Sequence, residues 1–265
     1  MGVRMDSDAV VSPGWLAERL DDPDVSVVDV REGWEYDGIG HIPGAVSIPF
    51  DRFRSEEGAA GMLPDPETWR ELLSGVGVGA DDHLVAYDDT HGVFAARFLV
   101  TALLLGHDPA KLHLLDGDYS AWTREHETEG TTPERAPSEY RRTAPSSSPL
   151  VDTEAVADAV DSGAVLVDTR SPEEYAEAHI PGAVNLDWKA LVDDETRGLK
   201  AEGVLRETLE SKGILPKKRV VLYCNTARRI SHTYVVLKWL GYDDVGFYEG
   251  SMTEWVAENR PTESS

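Results

Sequence analysis

The segment Val27-Val28-Asp29-Val30-Arg31 returns in the second half of the chain as Leu166-Val167-Asp168-Thr169-Arg170. Each copy is followed by a tyrosine and then by the same turn, His41-Ile42-Pro43-Gly44-Ala45 in one half and His179-Ile180-Pro181-Gly182-Ala183 in the other. Because equivalent positions stay 133 to 139 residues apart along the chain, the sequence indicates one domain that has been duplicated. The fold of that domain therefore decides the fold of the whole protein.

Both halves alternate short apolar runs with helical patterns. In the first half, strands are predicted near residues 26–30, 45–48, 83–88 and 111–116, and helices near 32–37, 66–74, 91–105 and 118–124. In the second half, strands are predicted near 165–169, 183–186, 219–223 and 245–248, and helices near 153–161, 172–177, 201–212, 227–240 and 251–257. Strands buried on both faces and separated by helices predict an α/β protein with two tandem domains, each a parallel sheet flanked by helices.

A linker separates the two predicted domains. The chain is divided into a domain at residues 1–126, a linker at 127–149 and a second domain at 150–265. The stretch from Thr123 to Pro149 is rich in Pro, Ser, Thr, Glu and Arg and has almost no apolar periodicity, which is typical of a surface linker. The glycine-rich stretch at 75–79 follows a helical pattern and precedes a strand, the reverse of a nucleotide-binding loop, so it predicts a helix stop.

The composition is strongly acidic, with 49 acidic against 25 basic residues and a net charge of −24. Such a surface repels nucleic acids and anionic membranes, so neither is expected as a partner. Adaptation to high internal salt is one hypothesis for this charge, and an unusually acidic protein of a low-salt cell is the other. The sequence shows no signal-peptide pattern and no apolar run long enough to span a bilayer, so we expect a soluble, cytoplasmic protein.

Cys224 is the only cysteine in the chain, and it falls on the turn between a strand ending at Tyr223 and a helix. With a single cysteine, neither an internal disulfide nor a cysteine-cluster metal site can form, and no metal or organic cofactor is predicted. Unpaired N–H groups at the start of the helix, its macrodipole, and the following Arg228 and Arg229 all favour a thiolate. We therefore expect an exposed nucleophile at this turn rather than a buried structural cysteine.

The duplication separates features of the fold from features of the chemistry. Asp168 with Arg170 has a counterpart in the first half, so it is predicted to be a structural ion pair at a strand end. The histidines of the repeated turns are likewise assigned to the scaffold. In contrast, Asp88 occupies the position of Cys224 in the first half. An aspartate cannot accept a sulfur atom but suits the positive end of a helix as a cap, so the first domain is predicted to be inactive.

The repeated Asp-x-Arg and His-Ile-Pro-Gly-Ala segments, the strand–cysteine–loop–helix turn and the duplication resemble the two-domain rhodaneses, the thiosulfate/3-mercaptopyruvate sulfurtransferases, over nearly the whole chain. The resemblance implies a catalytic C-terminal domain, an inactive N-terminal domain and a site in the cleft between them. It also implies that the Cys224 thiolate takes the sulfane sulfur of thiosulfate and releases sulfite. The resulting persulfide would pass its sulfur to cyanide or a thiol acceptor.

The loop from Cys224 to Arg229 is expected to surround the donor and the persulfide. Its substrate-binding residues are predicted to be Asn225, Thr226, Ala227, Arg228 and Arg229. Backbone N–H groups would form an anion nest, while the arginines would attract the dianionic donor and stabilise the departing sulfite. A solvated Arg228 and a salt bridge from Arg229 to a carboxylate elsewhere are the alternatives.

Supporting roles around this loop are assigned to Asp168, Arg170 and His232. His232 is predicted to be a satisfied core histidine rather than a base, because a loop that already holds a thiolate needs none. Trp188 and Lys189 have no obvious counterparts in the first half and are candidates for lining the cleft.

The loop sequence leaves the donor open. Animal thiosulfate sulfurtransferases resemble Cys-Arg-Lys-Gly-Val-Thr here and mercaptopyruvate enzymes resemble Cys-Gly-Ser-Gly-Val-Thr, whereas the two arginines of this chain lie at the far end of the loop and favour thiosulfate. Glu174 stands near the position of a substrate-binding arginine of the animal enzymes, so we expect that contact to be absent. Mercaptopyruvate transfer and a sulfur carrier without turnover remain alternatives. A Cys-x5-Arg phosphatase is disfavoured because the sixth residue after Cys224 is Ile230.

Overall fold

The first half of the chain forms a five-stranded sheet in the computed structural model, which describes residues 5, 7–55, 62–143, 145 and 147–265. Its strands are β1 (Val10–Val11), β2 (Val25–Asp29), β3 (Val46–Ser47), β4 (His83–Tyr87) and β5 (Leu112–Leu115). They pair in parallel in the order β1-β5-β4-β2-β3. The flanking helices are α1 (Pro13–Ala17), α2 (Gly33–Ile39), α3 (Pro66–Gly75), α4 (Val93–Leu104) and α5 (Asp118–Glu125).

The second half repeats this arrangement with a four-stranded parallel sheet in the order β7-β6-β8-β9. Its strands are β6 (Val165–Asp168), β7 (Val184–Asn185), β8 (Val220–Tyr223) and β9 (Val245–Phe247). Its helices are α6 (Thr153–Ser162), α7 (Pro172–Glu177), α8 (Glu202–Ser211), α9 (Arg228–Trp239) and α10 (Ser251–Ala257). Leu150 forms a single parallel bridge to Phe247, at the edge where β1 pairs with β5 in the first half.

The predicted fold is confirmed: every helix and strand expected from the sequence is present, with ends shifted by one or two residues at most. The sequence did not predict β1, α1 or the short 3-10 turns. β1 has only two residues and no counterpart strand in the second half, whereas the equally short β3 and β7 follow the repeated turn. None of the helices within the described residues is long and apolar enough to cross a bilayer.

The two halves pack together through their equivalent helices, α4 and α9. All residues of α4 except Phe94 are buried, because its own sheet covers one side and α9 covers the other. A buried ion pair also crosses the boundary, with Arg97 Nη2 lying 2.5 Å from Glu249 Oε1. This packing brings the loops that precede α4 and α9 to the boundary between the halves.

The linker segment lies against the first domain. The Tyr140 side chain is buried, and its hydroxyl is 2.9 Å from Nδ1 of His107. Ser138 donates its backbone N–H to the carbonyl of Ser74, and Arg135 donates to the carbonyl of Gly44. The low apolar content of the segment did not predict an aromatic anchor. The domain boundaries themselves stay a prediction.

Candidate active site

Cys224 directly follows β8, so it lies at the carboxyl edge of the second sheet. Its backbone N–H donates to Oγ of Ser251 at 3.0 Å, and its carbonyl accepts from the N–H of Met252 at 3.0 Å. Cys224 is 1% exposed, so the expectation of an exposed cysteine is wrong. The start of α10 is bonded to the cysteine backbone, and Cys224 itself belongs to the hydrophobic cluster that includes Leu186, Leu191 and Ile230. The loop was therefore correctly placed from sequence, but the burial of Cys224 in this cluster depends on tertiary packing.

The loop after Cys224 presents free backbone donors. Within the described part of the chain, the N–H groups of Asn225, Thr226 and Ala227 donate to no acceptor. Ala227 adopts a left-handed conformation with φ of 60°, which turns the chain into α9 at Arg228. Three unpaired amides and the first turn of a twelve-residue helix together favour a negative charge at this point. This is the arrangement expected of a nest for a thiolate or a persulfide.

Arg229 is paired with Glu174 of α7. Its two terminal nitrogens contact both carboxylate oxygens, and the Nη2–Oε1 distance is 2.9 Å. Although burial opposes the charge of Arg229, the hydrogen bond to Glu174 and the nearby Cys224 raise its pKa. Arg229 is therefore close to the sulfur, but its charge is largely neutralised by a carboxylate, which is the alternative that the sequence had left open.

Glu174 also contacts the residue next to the cysteine. Asn225 Nδ2 donates to Glu174 Oε1 at 2.8 Å, and Arg170 Nη1 donates to Oδ1 of Asn225 at 3.4 Å. The hydrogen bond from Arg229 is the main cause that lowers the pKa of Glu174 to about 2. The sequence predicted only that an arginine contact is absent at Glu174, and it did not predict this role. Its capping box with Ser171 was the available signal, since it places Glu174 after β6, which pairs with β8.

Arg228 reaches the first domain. Its guanidinium carbon is 5.7 Å from the ring centroid of Phe50 and 5.6 Å from that of Phe94. Arg228 is exposed, and no carboxylate among the described residues lies within salt-bridge distance of it. The two rings attract the cation without neutralising it. Arg228 therefore keeps its full charge at the boundary between the domains.

Asp168 and Arg170 form the structural ion pair that the sequence predicted. The Nη2–Oδ2 distance is 2.6 Å, both side chains are buried, and Arg170 also donates to the carbonyl of Ala178. The same geometry recurs in the first half, where Arg31 Nη2 lies 2.6 Å from Oδ2 of Asp29. Through Asn225, the pair in the second half also supports the cysteine loop.

His232 is completely buried in α9, as predicted for a core histidine, but the expectation that its ring is hydrogen-bonded is wrong. Within the described residues, neither ring nitrogen forms a hydrogen bond. Burial lowers the pKa of His232 to about 3, so the ring is neutral at physiological pH. Its ring packs edge-on against Trp188 at 5.2 Å. Trp188 also clusters with Val93 and lies 6.4 Å from the ring of His91, so it lies at the boundary with the first domain, whereas Lys189 is exposed.

Asp88 confirms the capping role predicted for the first half. Its carboxylate accepts four backbone N–H groups, those of Thr90, Gly92, Phe94 and Ala95, at 2.7 to 3.0 Å. Burial raises the pKa of Asp88, and these four bonds oppose that shift. The first loop is therefore filled by its own side chain. Among the described residues, no group of His, Cys, Asp and Glu could hold a metal ion.

Comparison with known proteins identifies the family. A family model described as a rhodanese-like domain matches residues 12–125 and 152–258. A thiosulfate sulfurtransferase of Pseudomonas aeruginosa is 33% identical over 270 residues, covering 96% of each chain. The sulfur carrier protein TtuD of Thermus thermophilus is 32% identical over 271 residues, covering 94% of this chain and 93% of that one. The crystal structure of SseA from Escherichia coli, a 3-mercaptopyruvate sulfotransferase, matches with a TM-score of 0.82 at 26% identity, covering 92% of this chain and 98% of that one. The chain belongs to the rhodanese family.

Proposed function

We propose that this protein is a sulfurtransferase that moves the sulfane sulfur of thiosulfate to cyanide or a thiol acceptor through a persulfide on Cys224. The observation that carries the proposal is the contrast between the two loops. The N–H groups of the first loop are occupied by Asp88, while three N–H groups beside Cys224 have no acceptor among the described residues. Relatives named thiosulfate sulfurtransferases over nearly the full length support the choice of donor.

The proposed reaction needs only the groups at this loop. The Cys224 thiolate attacks the outer sulfur of thiosulfate, the S–S bond breaks, and its electron pair leaves with sulfite. The terminal persulfide sulfur is anionic, so the free amides of Asn225, Thr226 and Ala227 stabilise it. Arg228 attracts the donor and holds the departing sulfite. An acceptor thiolate or cyanide then attacks the terminal sulfur and restores the Cys224 thiolate.

A donor comparison tests the proposal directly. The protein is incubated with thiosulfate or with 3-mercaptopyruvate, and intact mass is measured before and after addition of cyanide. We expect an adduct of about 32 Da, a single sulfur atom, that cyanide removes as thiocyanate. The variant Cys224→Ser should show neither adduct nor thiocyanate while keeping the circular dichroism of the parent. Absence of the adduct with both donors would refute the sulfurtransferase assignment.

A sulfur carrier without turnover is the second candidate. The burial of Cys224 and the similarity to the carrier TtuD favour it, because a carrier can wait for a partner to open access to the persulfide. The two functions separate in the same experiment. A carrier would form the Cys224 adduct but release it to cyanide negligibly slowly, whereas an enzyme would turn over many times.

The cellular setting is also a proposal. A lone thiolate that must remain reduced between cycles fits a reducing cytoplasm. The net charge of −24 disfavours nucleic-acid partners and fits a cell with high internal salt.

A further inference from the structure

The Glu174 carboxylate is the only acidic group that contacts the cysteine loop with its side chain among the described residues. Oε1 accepts from Asn225 and Arg229, and Oε2 accepts from Arg229 and from the backbone N–H of Ser171. All four acceptor positions of the carboxylate are thus used. Glu174 places a fixed negative charge beside the nest that must receive an anionic donor.

The first half of the chain shows which of these contacts the fold requires. Glu35 is the counterpart of Glu174, and it accepts the backbone N–H of Glu32 in the same type of capping box. In the first half, however, α4 begins with Val93 and Phe94 where α9 begins with its two arginines. The cap is therefore common to both halves and belongs to the fold. The contacts of Glu174 with Arg229 and Asn225 occur only beside the cysteine.

The pairing leaves the site with unequal arginines. Arg229 is close to Cys224 but is neutralised by Glu174, whereas Arg228 has no carboxylate within salt-bridge distance among the described residues. The net charge that the pair of arginines and Glu174 present to a donor is therefore about one positive charge. A donor with two negative charges must approach this group against the repulsion of the Glu174 carboxylate.

We propose that Glu174 is a donor-selecting residue, which disfavours a second negative charge on the sulfur donor by holding Arg229 and repelling dianions. This inference rests on the proposed sulfur transfer through Cys224. The site accepts thiosulfate, but Glu174 lowers its preference for this dianion over monoanionic donors with the same sulfane sulfur, namely organic thiosulfonates. In both cases the Cys224 thiolate attacks the outer sulfur and the S–S bond breaks. Sulfite leaves from thiosulfate, and a sulfinate leaves from a thiosulfonate.

The substitution Glu174→Gln isolates the charge. Glutamine can serve at this position of a capping box and keeps one carbonyl oxygen for Arg229 or Asn225, so the helix start and loop are preserved. Electrostatic free energy scales with the charge of the donor. The factor by which kcat/KM rises for a dianion should therefore be the square of the factor for a monoanion. We expect kcat/KM to rise about tenfold for thiosulfate and about threefold for benzenethiosulfonate, mainly through KM. The difference between these two increases in kcat/KM should shrink as the salt concentration is raised.

Two further variants control for geometry. Glu173→Gln removes the same charge from the neighbouring residue, which is exposed and does not contact the loop, and should leave the donor ratio unchanged. Glu174→Asp keeps the charge and should retain the preference of the parent. The inference would be overturned if Glu174→Gln changed kcat/KM by the same factor for both donors. It would also be overturned if Glu174→Asp altered the ratio of kcat/KM between thiosulfate and benzenethiosulfonate. Failure of the proposed function looks different, since the parent would then form no Cys224 persulfide with either donor.

A binding measurement gives a readout that does not depend on turnover. In the Cys224→Ser background, calorimetric titration with thiosulfate should show tighter binding when Glu174→Gln is added. The affinity for benzenethiosulfonate should improve less. Unchanged thiosulfate affinity in the double variant would also overturn the inference.

Discussion

Asp88 and Cys224 follow equivalent central strands, yet only Asp88 occupies the backbone donors of its own loop. The Asp88 carboxylate accepts four N–H groups, whereas the amides of the three residues after Cys224 have no acceptor among the described residues. One substitution at the end of a strand thus decides whether the loop is filled from within or remains available to a ligand. Because both loops start a helix of twelve residues, the difference comes from the side chain and not from the helix.

Asp88→Asn should destabilise the first domain. The amide retains one acceptor oxygen but turns an NH2 group toward backbone donors, which leaves buried N–H groups unsatisfied. We expect a loss of about 2 kcal/mol in the free energy of unfolding, measured by urea denaturation at pH 7. Asp108→Asn is the matched control, because Asp108 is exposed and caps a single N–H group, where asparagine is equally suitable. Equal stability of parent and Asp88→Asn would show that the carboxylate does not hold the loop.

The features that were predictable from sequence are local patterns that occur twice. The strands, the helices, the Asp168–Arg170 pair and the cap at Asp88 all follow from periodicity and from comparing one half with the other. The duplication also placed Cys224 at a strand end, because its counterpart lies in an equivalent pattern.

The features that the sequence did not predict depend on contacts between distant segments. Cys224 is buried in the core cluster that includes Leu186 and Leu191, and the ring of His232 packs against Trp188. The position of Arg228 over Phe50 and Phe94 depends on how the two domains meet. No single window of sequence contains both members of these contacts.

Arg228→Ala should weaken donor binding without affecting stability. The guanidinium is exposed and unneutralised, so its loss removes attraction for the donor but leaves no buried group unpaired. We expect KM for thiosulfate to rise about tenfold, since one charge-assisted contact is lost. Arg219→Ala removes an equal charge from the residue before β8, at the opposite edge of the sheet, and controls for the change in net charge. If both variants raise KM equally, Arg228 has no specific contact with the donor.

The Glu174–Arg229 pair should contribute to stability over a defined pH range. The pKa of Glu174 is lowered from 4.5 to about 2, so the folded state favours the ionised carboxylate. The contribution is therefore fully present above about pH 4.5 and is lost as the pH falls through about 2. The pair is partly exposed, so Glu174→Gln should cost only about 1 kcal/mol at pH 7. Unfolding curves at several pH values should show this difference narrowing below pH 4.5, and a difference independent of pH would contradict the assignment.

High salt should stabilise this protein. The excess of acidic residues gives a net charge of −24, and about 1 M salt screens charges beyond about 3 Å. Self-repulsion should therefore fall, and the melting temperature should rise between dilute buffer and molar potassium chloride. Melting temperatures measured in sucrose are the control, because sucrose is excluded from the protein surface but does not screen charges. Greatest stability in dilute buffer would rule out adaptation to high salt.

Arg229→Ala and Glu174→Gln should compensate for each other. Removing Arg229 alone leaves the Glu174 carboxylate unpaired beside the nest, so thiosulfate is repelled and kcat/KM should fall by more than tenfold. Adding Glu174→Gln removes that charge, and the double variant should recover most of the loss. The parent, the two single variants and the double variant form a double-mutant cycle. Its coupling free energy measures the interaction between Arg229 and Glu174 rather than the contribution of either side chain. If Arg229 bound the donor independently of Glu174, the double variant would stay as impaired as Arg229→Ala. Recovery would therefore mean that Arg229 acts chiefly by neutralising Glu174, and that Arg228 provides the charge that attracts the donor.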